Sequence, residues 1–181
     1  MSKIIPLSPK KYIETKARTL PIYKCYVNEG WKTVGLANVF VLRKHINGNI
    51  TMGIFLADVF CLGVKEVTYF FNYTQLEIDK ILKRVNKIGN IEIDYNLAHN
   101  IIYAAHDFAM EYDIHPHKDF AIAKYILEED DDNIPLIDIK VGGQNGYPFL
   151  VVKNPNQHKD ALEKLKKNAG EGYYDYLCEI Y

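Results

Sequence analysis

Hydrophobic and polar positions divide the chain into short alternating runs and longer runs with a three-to-four spacing, the signatures of strands and of amphipathic helices. The most apolar run is TMGIFLADVFCLGVKE, residues 51–66. Its central part, Met52–Leu62, reads as a buried strand that is apolar on both parities. Asn47-Gly48 just before it is the favoured pair for a two-residue hairpin turn, because both turn positions need positive φ. That turn sets Ile46 opposite Asn49, Val41 opposite Ile54, Val39 opposite Leu56 and Ala37 opposite Asp58. Alternation places Ile54, Leu56, Asp58 and Phe60 on one face, and Phe55, Ala57, Val59 and Cys61 on the other.

The same reading along the chain predicts an N-terminal arm over residues 1–19, with a short helix around Tyr12–Arg18. Strands follow at Ile22–Val27 and Val34–Lys44, so three antiparallel strands succeed one another as a meander. Val64–Asn72 fits either a strand or a short helix. Thr74-Gln75-Leu76-Glu77 is a capping box that opens a helix, with Gly89 as its C-terminal stop. A short strand at Ile91–Ile93 precedes a helix capped by Asn96 and running to about Tyr112, whose apolar stripe includes Leu97, Ile101, Ala104, Ala105 and Phe108. Pro116 is placed for the first turn of a further helix through Leu127. Ile137–Val141 and Tyr147–Val152 read as a second hairpin around Gly142–Gly146. The last helix starts at Asn154-Pro155 and ends at Gly170, and the aromatic tail Tyr173–Tyr181 packs back on the body. The sum is an α+β fold, an antiparallel sheet built from the meander and the later hairpin and covered by about four helices, in one domain over 1–181.

Composition narrows the classes. The 181 residues are 48% hydrophobic, enough for a filled core. Twenty-two basic against 23 acidic residues give a net charge of −1, which argues against a general polyanion binder but leaves a local nucleic-acid contact open. Cys25, Cys61 and Cys178 form no CxxC pair and no even disulfide set, as expected of a reducing cytoplasm. The N-terminus lacks a signal-peptide core, and no run is long enough to span a membrane.

Candidate chemistry centres on Asp58, the one charge in its apolar row. An unpaired carboxylate there costs several kcal/mol or holds a proton, at roughly the scale known for buried charges. Lys65 is the nearest partner in sequence. Cys61 points away from Asp58 on a regular strand, and Gly63 could supply a kink. Four of the six histidines, His99, His106, His115 and His117, lie between residues 99 and 117, with Asp107, Asp113 and Asp119 close by. His99 and His106 share a helical face opposite the apolar stripe, about 10 Å apart along the axis, too far to ligate one ion together. His115-Pro116-His117-Lys118-Asp119 would open a helix, where free N–H groups suit an anion and Asp119 suits the dipole. Asp58, His99 and His117 can then converge as a carboxylate and two imidazoles. No Gly-rich phosphate loop, GxSxG elbow or zinc-ribbon spacing is present.

The segments FLADVFCLGVKE (55–66) and AHNIIYAAHDFAMEYDIHPHKDFAIAKYILEEDDDNIPLI (98–137) resemble a group of uncharacterised bacterial proteins with an "LVD-x-x-CLGVKD" strand and a "PHKDFAxAxxIL" helix. The resemblance implies a bacterial origin and a coherent fold across most of residues 20–180, and it brings no activity with it. Positions shared with that pattern are Asp58, Cys61, Gly63, Lys65, His99, His117 and Asp119; Glu66 stands where the group has Asp.

Two functions follow as expectations. One is a hydrolase acting on a phosphoester or nucleic acid: Asp58, His99 and His117 activate water or hold a divalent metal, Lys65 neutralises anionic charge, and Cys61 and Asp119 contribute to binding. The other is a non-catalytic module that binds a protein partner, as in a defence or toxin system, through the aromatic tail and the acidic run Glu128–Asp132.

Overall fold

A computed structural model describes residues 7–85, 89–154 and 156–178. In chain order the elements are α1 (Pro9–Lys16), β1 (Ile22–Asn28), α2 (Trp31–Val34), β2 (Leu36–Lys44), β3 (Ile50–Asp58), β4 (Gly63–Tyr73), α3 (Gln75–Val85), β5 (Asn90–Ile93), α4 (Tyr95–Glu111), α5 (Phe120–Ala123), β6 (Phe149–Val152), α6 (Lys159–Asn168) and β7 (Asp175–Cys178). Short 3₁₀ turns follow α1 and α5. The expected α+β class is borne out: five antiparallel strands lie in the order β4-β3-β2-β1-β5. The predicted N-terminal helix forms three residues early, at Pro9, with Ser8 Oγ accepting the Lys11 N–H; residues 1–6 of the arm lie outside the described residues.

The register of the β2–β3 hairpin corrects the expectation by one residue. Val39 faces Phe55, Phe40 faces Ile54 and Leu36 faces Asp58. The loop holds three residues, Ile46–Gly48, closed by His45 N–H to Asn49 O (2.8 Å) and Gly48 N–H to His45 O (2.9 Å). Gly48 alone takes the left-handed conformation there, at φ 86°. The reason lies in the faces. A one-residue slip turns every side chain of a strand to the other side, and both sides of this sheet are buried. Val39, Val41, Phe55 and Ala57 pack under α4, whereas Phe40, Leu42, Met52 and Ile54 pack under α3. Only the observed register lets like-facing residues stand opposite one another.

Local signals account for the helices. Thr74 and Glu77 form the expected capping box: Thr74 N–H reaches Glu77 Oε2 at 2.8 Å, and Glu77 N–H reaches Thr74 Oγ1 at 3.4 Å. Ile78 and Ile81 of α3 cover one face of the sheet. On the other face α4 lays down Ala98, Ile101, Ile102 and Ala105, and Phe120 meets Phe55 edge to face at 6.2 Å. Asp94, and not Asn96, occupies the N-cap of α4. The helix expected from Pro116 is shorter and later, beginning at Phe120.

The later hairpin does not form. Residues 137–141 carry no strand, and β6 pairs in parallel with β7, Leu150 opposite Tyr176. Parallel strands need a long crossover, and α6 supplies it. Its expected start at Asn154 moves to Lys159, Pro155 lying outside the described residues, while Gly170 ends it with N–H to Leu165 O at 3.2 Å. This unit buries Leu150, Val152, Ala161 and Leu165 against Cys61, Leu62, Ala109 and Ile114. The tail thus packs on the body as far as Cys178; residues 179–181 lie outside the described residues. Gly63 makes this junction possible: at φ 65°, an added Cβ would sit 2.6 Å from Ala109 Cβ.

Candidate functional site

The strand predicted to run to Leu62 stops at Asp58, and the carboxylate is the reason. Asp58 Oδ1 accepts the N–H groups of Phe60 (3.1 Å) and Cys61 (3.0 Å), which turns the chain before β4 begins. Asp58 Oδ2 lies 3.9 Å from Lys65 Nζ, the partner expected from sequence. Burial pushes the Asp58 pKa up from its ordinary 3.8, against the opposing pull of Lys65 and of the turn N–H groups. Cys61 is wholly buried, and burial with Asp58 beside it pushes its thiol pKa far up. A thiol so held is protonated and unreactive.

Lys65 also lines a cleft. Val64 O accepts the His117 N–H at 2.8 Å, which lays residues 114–119 alongside the start of β4. A cleft of about 170 Å³ opens there, lined among others by Lys65, His115, His117, His158 and Asp160. The Asp119 N–H donates to His117 Nδ1 at 3.3 Å, and Asp119 Oδ2 lies 3.9 Å from the same nitrogen. His115 is more exposed, with Nε2 3.0 Å from Asp113 Oδ1.

His158 completes the cleft, and the sequence reading missed it. It sits in a left-handed conformation (φ 55°) just before α6. Burial lowers its pKa below the ordinary 6.5, the Lys65 charge lowers it further, and Asp160 opposes both. Nothing in its spacing links it to His117. Only the parallel β6–α6–β7 unit, folded back on Leu62 and Ile114, brings the two together.

His99 stands apart from this site. It is 1% exposed, with its ring against Tyr103 (4.6 Å between centroids) and Tyr95 (5.8 Å). Its Nδ1 lies 3.9 Å from Asp130 Oδ1, and its Nε2 has no hydrogen-bond partner among the described residues. Gly63 meets α4 at Ala105 and Ala109, so His99 lies about 9 Å or more further along the helix axis at 1.5 Å per residue. The expected meeting of Asp58, His99 and His117 does not occur: Asp58 pairs with Lys65, and His117 shares Lys65's cleft. His99 is also buried rather than on a solvated face, and His106 packs on Phe120 at 5.2 Å with Nδ1 2.7 Å from Asp107 Oδ1.

The acidic run is likewise tied into the body. Arg43, 1% exposed, donates to Ile126 O (2.5 Å), Leu20 O (2.5 Å) and Glu128 Oε1 (2.6 Å). Arg18 binds Leu127 O and Glu129, and the Glu128 N–H donates to Tyr95 Oη. A charged residue in a central strand gives no local sign of such a role.

Among the described residues, no three His, Cys, Asp or Glu side chains are placed to share a metal ion. No helix of the described residues is long and apolar enough to cross a membrane. No protein-family model, curated protein or solved structure matches the chain, and the functional reading rests on its geometry alone.

Proposed function

We propose that the protein is a hydrolase acting on a phosphoester, with the reacting phosphoryl group in the cleft between β4 and the start of α6. One observation carries this reading: Lys65, His117 and His158 line a single cleft. At about 170 Å³ it has the volume of roughly five or six waters. That accommodates a phosphoryl group and leaves the rest of a substrate outside.

The three side chains divide the chemistry. Lys65 neutralises charge on the phosphoryl oxygens. His158, kept neutral by burial and by the Lys65 charge, takes a proton from the attacking water as its oxygen bonds to phosphorus. His117, set in place beside Asp119, gives a proton to the leaving oxygen as the old P–O bond breaks. Asp58 acts from behind, holding Lys65 in place. Cys61 and His99 have no part.

The test is hydrolysis of p-nitrophenyl phosphate, bis(p-nitrophenyl) phosphate and a short single-stranded RNA by wild type, His117→Gln, His158→Gln and Lys65→Met. The expected result is turnover of at least one substrate, reduced about 100-fold or more by either histidine change, the usual scale for losing an acid or base. No turnover of any of the three, or equal rates in all four proteins, overturns the reading.

A further inference from the structure

Residues 136–141, Leu-Ile-Asp-Ile-Lys-Val, have strand composition and no strand partner. Their exposure alternates, with Leu136, Asp138 and Lys140 outside and Ile137, Ile139 and Val141 half-buried, which is the period of an extended chain. One neighbour begins a ladder with them. The Asn100 side chain, 7% exposed, accepts the Ile137 N–H with Oδ1 (3.0 Å) and donates to Pro135 O with Nδ2 (3.1 Å). Those are the two bonds that one residue of an adjacent strand would make. In an extended chain, alternate residues present their backbone groups to the same side. Ile139 and Val141 therefore continue the edge that Asn100 starts, and their N–H and C=O groups make no hydrogen bond within the described residues.

A groove of about 470 Å³ runs along this edge, between the segment and α4. Its apolar surface includes Tyr103, Phe108 and Ile139, and its charged lining is Asp107, Glu111, Asp130 and Asp138 with no Lys or Arg. Asp107 is met by His106 and Asp130 by His99. Glu111 and Asp138 have no cationic partner among the described residues.

We infer that this groove takes an extended, basic segment of a protein partner. The segment adds as a strand along Ile139 and Val141 and sets Lys or Arg side chains against Glu111 and Asp138. Backbone pairing supplies sequence-tolerant affinity, and the carboxylates select for positive charge. The groove shares no lining residue with the phosphoester cleft, so either reading can fail without the other.

The probe is a fluorescent nine-residue peptide alternating lysine with valine, measured by polarisation against the same peptide with glutamate for lysine. The expected result is saturable binding of the lysine peptide, at least tenfold weaker for the glutamate peptide. Glu111→Lys with Asp138→Lys should also weaken the lysine peptide tenfold or more while the melting temperature holds. Amide exchange at Ile139 and Val141 should slow in the complex. Absence of binding at millimolar peptide, equal binding of the two peptides, or binding without added protection at Ile139 and Val141 overturns the inference.

Discussion

Arg43 Nη2 and Glu128 Oε1 stand 2.6 Å apart, joining a fully buried strand residue to the first acid of a half-exposed loop. Around that pair Arg43 also holds the carbonyls of Leu20 and Ile126, so one guanidinium ties together β2, the turn after α1 and the turn after α5. Removing it strands several buried acceptors at once. Arg43→Met is expected to lose about 3–5 kcal/mol of stability, the scale for breaking a buried charge pair from one side. Glu128→Gln retains an acceptor and should lose about 1–2 kcal/mol. Urea unfolding of the two variants checks both the size and the order.

His99 makes stability depend on pH with a definite sign. Burial lowers its folded-state pKa below 6.5, while Asp130 and the Glu128 and Glu129 backbone pull the other way. The unfolded chain therefore binds more protons, and stability falls as pH drops below about 6.5, by up to about 1.4 kcal/mol per pH unit until the folded-state pKa is reached. His45 and His158 are shifted in the same direction and add to the slope. His99→Phe keeps an aromatic ring between Tyr95 and Tyr103. The expected result is a shallower loss of stability between pH 6.5 and 5, read from denaturant midpoints; an unchanged slope refutes the assignment.

Asp58 carries the opposite sign. Its folded-state pKa is raised by burial, so its stabilising contribution is complete below 3.8 and is lost as pH rises through the folded-state value. Its acceptor role toward Phe60 and Cys61 does not depend on that charge. Asp58→Asn keeps that role and should stay within about 1 kcal/mol of wild type at pH 7. Asp58→Ala leaves two N–H groups without their acceptor and should cost about 1–3 kcal/mol. In the phosphoester assay Asp58→Asn should lower turnover less than Lys65→Met, since Asp58 acts only through Lys65.

Much of the fold was legible where the physics is local. Thr74 and Glu77 name a helix start because each satisfies a free N–H of the first turn. Phe55 and Ala57 separate from Ile54 and Leu56 because alternation is a property of the strand itself. Asp58 and Lys65 were legible as a pair because they flank one turn. Asn47-Gly48 misled by one residue, since the same dipeptide serves a two-residue and a three-residue loop, and burial on both sides of the sheet chose between them.

The α+β class, the strands β1–β3 and β5, the helix starts near Thr74 and Asn96, and the need of Asp58 for a partner were thus legible in the chain alone, whereas the strand expected at 137–141 did not form and β7 was not foreseen. Tertiary structure decided the rest: the β2–β3 register, the pairing of Leu150 with Tyr176, the burial of Arg43 and His99, and the arrival of His158 beside Lys65 and His117. Each depends on residues distant in sequence burying one another's surface. A local pattern states which face of a residue must be covered, and only the packed chain states by what.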